Sequence, residues 1–194
     1  MGNGYIVYLL RMLAQQQAVA SLYCDPSDPD NYQAAFVEQV NARHVLVAAI
    51  TPWGMLDGWW VRRTSDVLQV LCGEEQETRL SFLLEHRAQR HAPLLPPDLP
   101  EDTDWMRAVL DYAIAEGKLV SLFTATETFT CIPRQVDDLR ATVQALDLLG
   151  QPDGAEEVLP LRDIEALSIG TEEEKMYDIL KAHFPAQEIQ PTLQ

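Results

Sequence analysis

The sequence predicts a mostly β, α+β protein: two tandem small five-stranded barrels, each with an N-terminal and a C-terminal helix. Three observations predict it. Residues 5–23 (YIVYLLRMLAQQQAVASLY) and 105–123 (WMRAVLDYAIAEGKLVSLF) repeat one pattern, an amphipathic helix that runs into a short apolar segment. Asp66-Val-Leu-Gln-Val-Leu-Cys-Gly73 is matched by Asp163-Ile-Glu-Ala-Leu-Ser-Ile-Gly170, each followed by an acidic helix start. Between them, Asp57-Gly58 and Asp153-Gly154 occupy matching places and are hairpin-turn dipeptides.

The elements follow in order. Tyr5, Tyr8, Leu9, Met12 and Leu13 have the i, i+3, i+4, i+7, i+8 spacing of one helix face, as do Trp105, Ala108, Val109, Tyr112 and Ala113. Strands are expected in the first copy at 19–24, 34–41, 44–51, 58–62 and 68–72, and in the second at 119–124, 129–136, 140–148, 158–161 and 166–169. Val67 and Ile164 break the alternation of the last strand, which places each in a turn whose side chain plugs the core. Cys72 stands opposite Ile169 in the repeat and is expected to be a small core residue. Thr171-Glu-Glu-Glu174 is a capping box for the closing helix, and Glu74, Glu75 and Glu77 favour the first turn of its counterpart. The first unit is thus 1–92, a Pro-rich linker 93–103, the second unit 104–184, and 185–194 a flexible tail.

A helix followed by about five short strands, the last preceded by Asp66-Val67 or Asp163-Ile164, resembles the Sm-like family of small β-barrels. The resemblance implies assembly through a barrel edge. It also implies RNA binding at the turn between the last two strands, here Val61-Arg62-Arg63-Thr64 and Leu159-Pro160-Leu161-Arg162. The Asp…Asn element of that family's RNA binders has no Asn counterpart in Ala49-Ile50-Thr51-Pro52 or Asp147-Leu148-Leu149-Gly150.

Composition narrows the function. The chain carries a net charge of −16 over 194 residues. Residues 1–100 hold 7 Lys+Arg against 11 Asp+Glu, and the remainder 7 against 19. Such a surface repels nucleic-acid phosphates and anionic lipid unless a local basic patch overrides it. Three cysteines without CxxC spacing suit a reducing cytoplasm, and Arg11 interrupts the apolar run 5–10, which reads as helix. No apolar stretch reaches membrane-spanning length.

Arg62, Arg63 and Arg162 are the candidate ligand or RNA-binding residues, because guanidinium forks suit phosphate and carboxylate. The bland alternative is a solvated strand end paired with Asp57 or Asp66. Trp53, Trp59 and Trp60 are the candidate interface: adjacent Trp59 and Trp60 point to opposite faces of a strand, and the second copy reads Ala155-Glu156 there. Packing by the linker or the other copy is the alternative to an external partner. Ser21/Ser121 and Asp66/Asp163 recur but bring no recurring histidine, so they supply no nucleophile and base, and the aspartates are expected to cap their turns. His44, His86, His91 and His183 are scattered, His86 and His91 are expected at the surface, and the acidic runs lack calcium-loop order, so no metal and no cofactor is expected. The expectation is a non-enzymatic binding or assembly module that meets a protein partner or itself through barrel edges. RNA binding at the arginine turns is the alternative, and an enzyme with a site between the copies a third reading.

Overall fold

The structure, a computed structural model, describes residues 3–28, 30–97 and 99–184. The first copy runs α1 (Asn3–Gln16), β1 (Val19–Tyr23), β2 (Tyr32–Val40), β3 (His44–Ile50), β4 (Leu56–Arg63), a 3-10 turn at Thr64–Asp66, β5 (Gln69–Cys72) and α2 (Glu75–His86). The second repeats it: α3 (Trp105–Glu116), β6 (Val120–Thr124), β7 (Thr128–Val136), β8 (Arg140–Ala145), β9 (Glu157–Pro160), a 3-10 turn at Leu161–Asp163, β10 (Ile164–Ile169) and α4 (Glu172–His183). Val67 and Ile164 are buried directly after their 3-10 turns and plug the cores.

The expected pair of closed five-stranded barrels does not form. All ten strands make one open antiparallel sheet in the order β5-β1-β2-β3-β4-β10-β6-β7-β8-β9. The first copy's β4 pairs with the second copy's β10, with Trp59 opposite Ile169, Trp60 opposite Ser168, Val61 opposite Leu167 and Arg62 opposite Ala166. The physical reason is that β5 and β10 carry the same pattern, so alternation alone cannot say which of them completes β4. The edge of β4 is satisfied by the longer and more apolar β10, whose residues are buried but for Glu165.

The seam merges the cores. Leu46 and Val61 of the first copy pack in one cluster with Val109, Leu110, Leu122, Val143 and Leu167 of the second. Burial of such side chains contributes about 1.5–3 kcal/mol each, so the seam is a substantial part of the stability. The Pro-rich segment also belongs to it: Leu94 and Leu95 are buried in that cluster. Its backbone is held by Gln39, by Asn41 Nδ2 donating to Thr103 O at 3.0 Å, and by Glu38, which accepts from Leu94 N.

Two further expectations change. Asp57-Gly58 lies inside β4 rather than in a turn. Gly58 has φ +67°, and a Cβ there would stand 2.4 Å from Ile169 O, so only glycine admits the close approach of β10. Asp57 Oδ1 accepts from Glu172 N at 2.8 Å and so caps the other copy's helix. Cys72 is exposed, because its counterpart Ile169 is covered by β4 whereas β5 ends the sheet. Among the described residues, no helix is long and apolar enough to cross a membrane.

Candidate functional site

The recurring serines find a structural partner. Ser121 Oγ donates to Glu174 Oε1 at 2.6 Å and Ser168 Oγ to the same oxygen at 2.7 Å, while Thr171 N donates to Oε2 at 2.6 Å. Ser21 donates to Glu77 in the first copy, where Glu77 also accepts from Glu74 N at 3.0 Å. Each buried glutamate is the N3 residue of a capping box, so one carboxylate both starts the closing helix and ties it to the sheet. This carboxylate pair was not visible as a unit in the sequence, although Ser and Glu recur at matching places. Asp66 and Asp163 do not cap their turns with backbone bonds: Asp66 Oδ1 accepts from Ser65 Oγ, and Asp163 lies 3.5 Å from Arg162 Nε.

The tryptophans occupy the seam. Trp59 packs on the merged core and donates from Nε1 to Glu38 Oε1 at 2.9 Å. Trp60, on the opposite face, packs against the second copy's Phe123 with ring centroids 4.6 Å apart. Trp53 is 73% exposed and takes no part. His91 is half-buried, stacked on Phe36 with centroids 4.9 Å apart, so it is not the surface residue expected; His86 is exposed. Burial lowers the His91 pKa.

The arginines separate. Arg62 lies over the Trp60 ring at 4.7 Å and donates to Gln33. Arg63 crosses the seam, donating to the carbonyls of Arg162 and Ile164. Arg63 and Arg162 line a cavity of about 610 Å³ together with Arg43, Arg140 and His44. Asp104 and Asp138 are the carboxylates in its wall.

Local structure explains the convergence. The β2–β3 turn is organised by Asn41, whose Oδ1 accepts from Arg43 N and His44 N, and the β7–β8 turn by Asp137, which accepts from Leu139 N and Arg140 N. The two 3-10 turns follow β4 and β9 at the same end of the sheet, held by Thr64 N to Arg43 O and Leu161 N to Leu139 O. The β4–β10 seam brings the four turns around one hollow.

Four of the chain's 14 Lys+Arg residues line this cavity. Arg43 Nη1 is 3.7 Å from Asp104, and Asp138 is engaged by Arg107. Among the described residues, Arg140 has no side-chain hydrogen bond or ion pair. His44 is 7% exposed, and its Nδ1 is buried without a partner. Burial lowers the His44 pKa, Asp104 opposes that, and Arg43 and Arg63 reinforce it.

No family model, curated protein or solved structure matches the chain. Among the described residues there is no cluster of His, Cys, Asp or Glu that could hold a metal ion.

The copies themselves provide a comparison. The structural register aligns Arg43 with Leu139, Arg63 with Pro160, and Arg162 with Ser65. Only His44 and Arg140 align as two nitrogen-bearing side chains. What the shared fold demands appears in both copies, so the cationic lining is not a requirement of the fold. Sequence inspection singled out Arg63 and Arg162 but missed Arg43, His44 and Arg140; charge differences between aligned copies were the signal that could have found them.

Proposed function

We propose that the chain is a non-enzymatic binding module whose ligand seat is the arginine cavity at the seam, and that it takes an anion. The observation that supports this most is Arg140: a guanidinium without a hydrogen bond or ion pair among the described residues, in a chain of net charge −16, lining the same hollow as three other arginines and a buried histidine. Guanidinium groups bind oxyanions by paired hydrogen bonds, and a partly enclosed site strengthens them. The test is calorimetric titration of the full chain with inorganic phosphate, pyrophosphate and citrate. Saturable binding that weakens in Arg140→Ala supports the proposal; absence of binding by all three overturns it.

A second reading, a protein partner that adds a strand, is favoured by β5. One side of β5 is paired to β1, and its Gln-Val-Leu-Cys sequence carries neither charge nor proline to blunt the other. Mass measured by light scattering against concentration tests its use for self-association. A larger species abolished by proline in β5 supports it, and a mass independent of concentration counts against it.

A further inference from the structure

Building on the anion reading above, we infer that the occupant is a compact phosphomonoester: one terminal phosphate seated in the arginine cavity, on a body that carries no further negative charge.

The donor set favours phosphate over carboxylate. Arg43 and Arg162 come from two separate turns, 3.7 Å from Asp104 and 3.5 Å from Asp163 respectively, Arg140 begins β8, and Arg63 is held in place by two carbonyls. Four guanidinium groups lining one hollow offer more donors than the two coplanar oxygens of a carboxylate accept. They match the three free oxygens and double charge of a terminal phosphate. An internal phosphodiester offers two free oxygens and one charge, and leaves the set half used. His44 adds a buried ring nitrogen without a partner in the same wall.

The surroundings decide against a chain of phosphates. On one side, a neighbouring hollow of about 530 Å³, which shares Asp104 and Asp138 with the arginine cavity, is lined by Asp102, Asp104, Asp111 and Asp138 against Arg43 and Arg107, an excess of carboxylates. On the other, a groove of about 920 Å³ shares Arg63 with the arginine cavity and is lined by Asp25, Asp30, Asp57, Asp66 and Glu165 against Arg62 and Arg63, again an excess of carboxylates. A nucleic-acid strand leaving the seat by either route would carry its next phosphates over carboxylates. A ligand with one anionic head and a neutral or amine-bearing body meets no such repulsion. The larger groove also offers Trp60 and Phe123 to such a body.

The experiment is calorimetric competition on the full chain at physiological ionic strength, about 0.15 M. The probes are O-phosphoethanolamine, glucose 6-phosphate, inorganic phosphate, citrate and a short single-stranded RNA with a 5′-hydroxyl. The expected result is that the phosphomonoesters and inorganic phosphate compete for one seat and the RNA does not displace them. Arg140→Ala and Arg162→Ala, each at an exposed side chain, are expected to weaken binding by about 10- to 100-fold, the loss of one charge-assisted contact. Arg140→Lys, which keeps the charge and loses the fork, is expected to fall between. RNA that displaces O-phosphoethanolamine would overturn this inference and leave the anion reading standing. Binding of citrate but of no phosphate probe would do the same. Failure of every anion would remove both.

Discussion

Ser121 Oγ lies 2.6 Å from Glu174 Oε1, a hydroxyl on a central strand donating to a buried carboxylate that begins the closing helix. Ser21, Glu77 and the backbone of Glu74 stand in the same relationship in the first copy, but the second copy adds the hydroxyls of Ser168 and Thr171 to the carboxylate. Glu174→Gln puts an amide donor among hydroxyl and N–H donors and is expected to destabilise the protein by about 1–3 kcal/mol. Glu77→Gln should cost less. Denaturant midpoints of the two variants test this; equal losses would refute the ranking.

Trp60→Ala removes the ring that spans the seam to Phe123 and also supports Arg62. Because Trp60 is only half-buried, the expected loss is about 1–3 kcal/mol, below the roughly 3–5 kcal/mol of a fully buried aromatic. Trp53→Ala, at an exposed side chain, should leave the melting temperature nearly unchanged. Thermal unfolding of both variants decides the matter.

The second copy's outer edge is blunted where the first copy's β4 is adhesive. By strand register Trp59 and Trp60 align with Glu156 and Glu157, one residue beyond the Ala155-Glu156 that the sequence predicts, and Arg63 with Pro160. Thr64 N donates to Arg43 O, so by strand alternation the Arg63 N–H faces the seam; at that place Pro160 has none. Converting β9 with Glu156→Trp, Glu157→Trp and Pro160→Arg should let it take β5 of another chain, a head-to-tail contact that need not close. Light scattering should then show a mass that grows with concentration beyond that of the wild type. No growth would refute the edge account.

His44 makes stability depend on pH in a defined direction. Its folded pKa lies below the ordinary 6.5, chiefly through burial, so below 6.5 the unfolded chain takes up a proton that the folded chain refuses. Stability therefore falls as pH drops below about 6.5. His91 acts in the same sense, and buried Glu38, whose pKa is raised from 4.5, acts in the opposite sense at lower pH. Chemical denaturation across this range should show a shallower slope in His44→Gln than in the wild type. An unchanged slope would count against the histidine.

Much of the fold was legible because it is written twice. Val109 and Ala113 lie on the face that the helix spacing marks in α3, and both are buried; in α1 the spacing marks Leu13 correctly but the buried face is Ile6, Leu10 and Leu13, with Tyr5 and Tyr8 exposed. The capping box at Thr171 and the plugs Val67 and Ile164 follow from short-range chemistry that needs no partner. The closure of each copy was not legible, because β5 and β10 share one pattern and either could satisfy β4. The same ambiguity hid most of the site. Arg43 and Arg140 are single basic residues about 97 positions apart, and only the β4–β10 pairing makes them neighbours.

That pairing also sets a hazard during synthesis. The strand bearing Trp59 and Trp60 leaves the ribosome roughly 100 residues before β10, at about 5–20 residues per second. For several seconds it presents an aromatic edge whose complement has not yet been made. On a polysome, the β10 of a leading chain that has not yet closed on its own β4 is the nearest match. The chain is therefore most exposed to domain swapping while it is being translated, and slower elongation between β4 and β10 would lengthen the exposure.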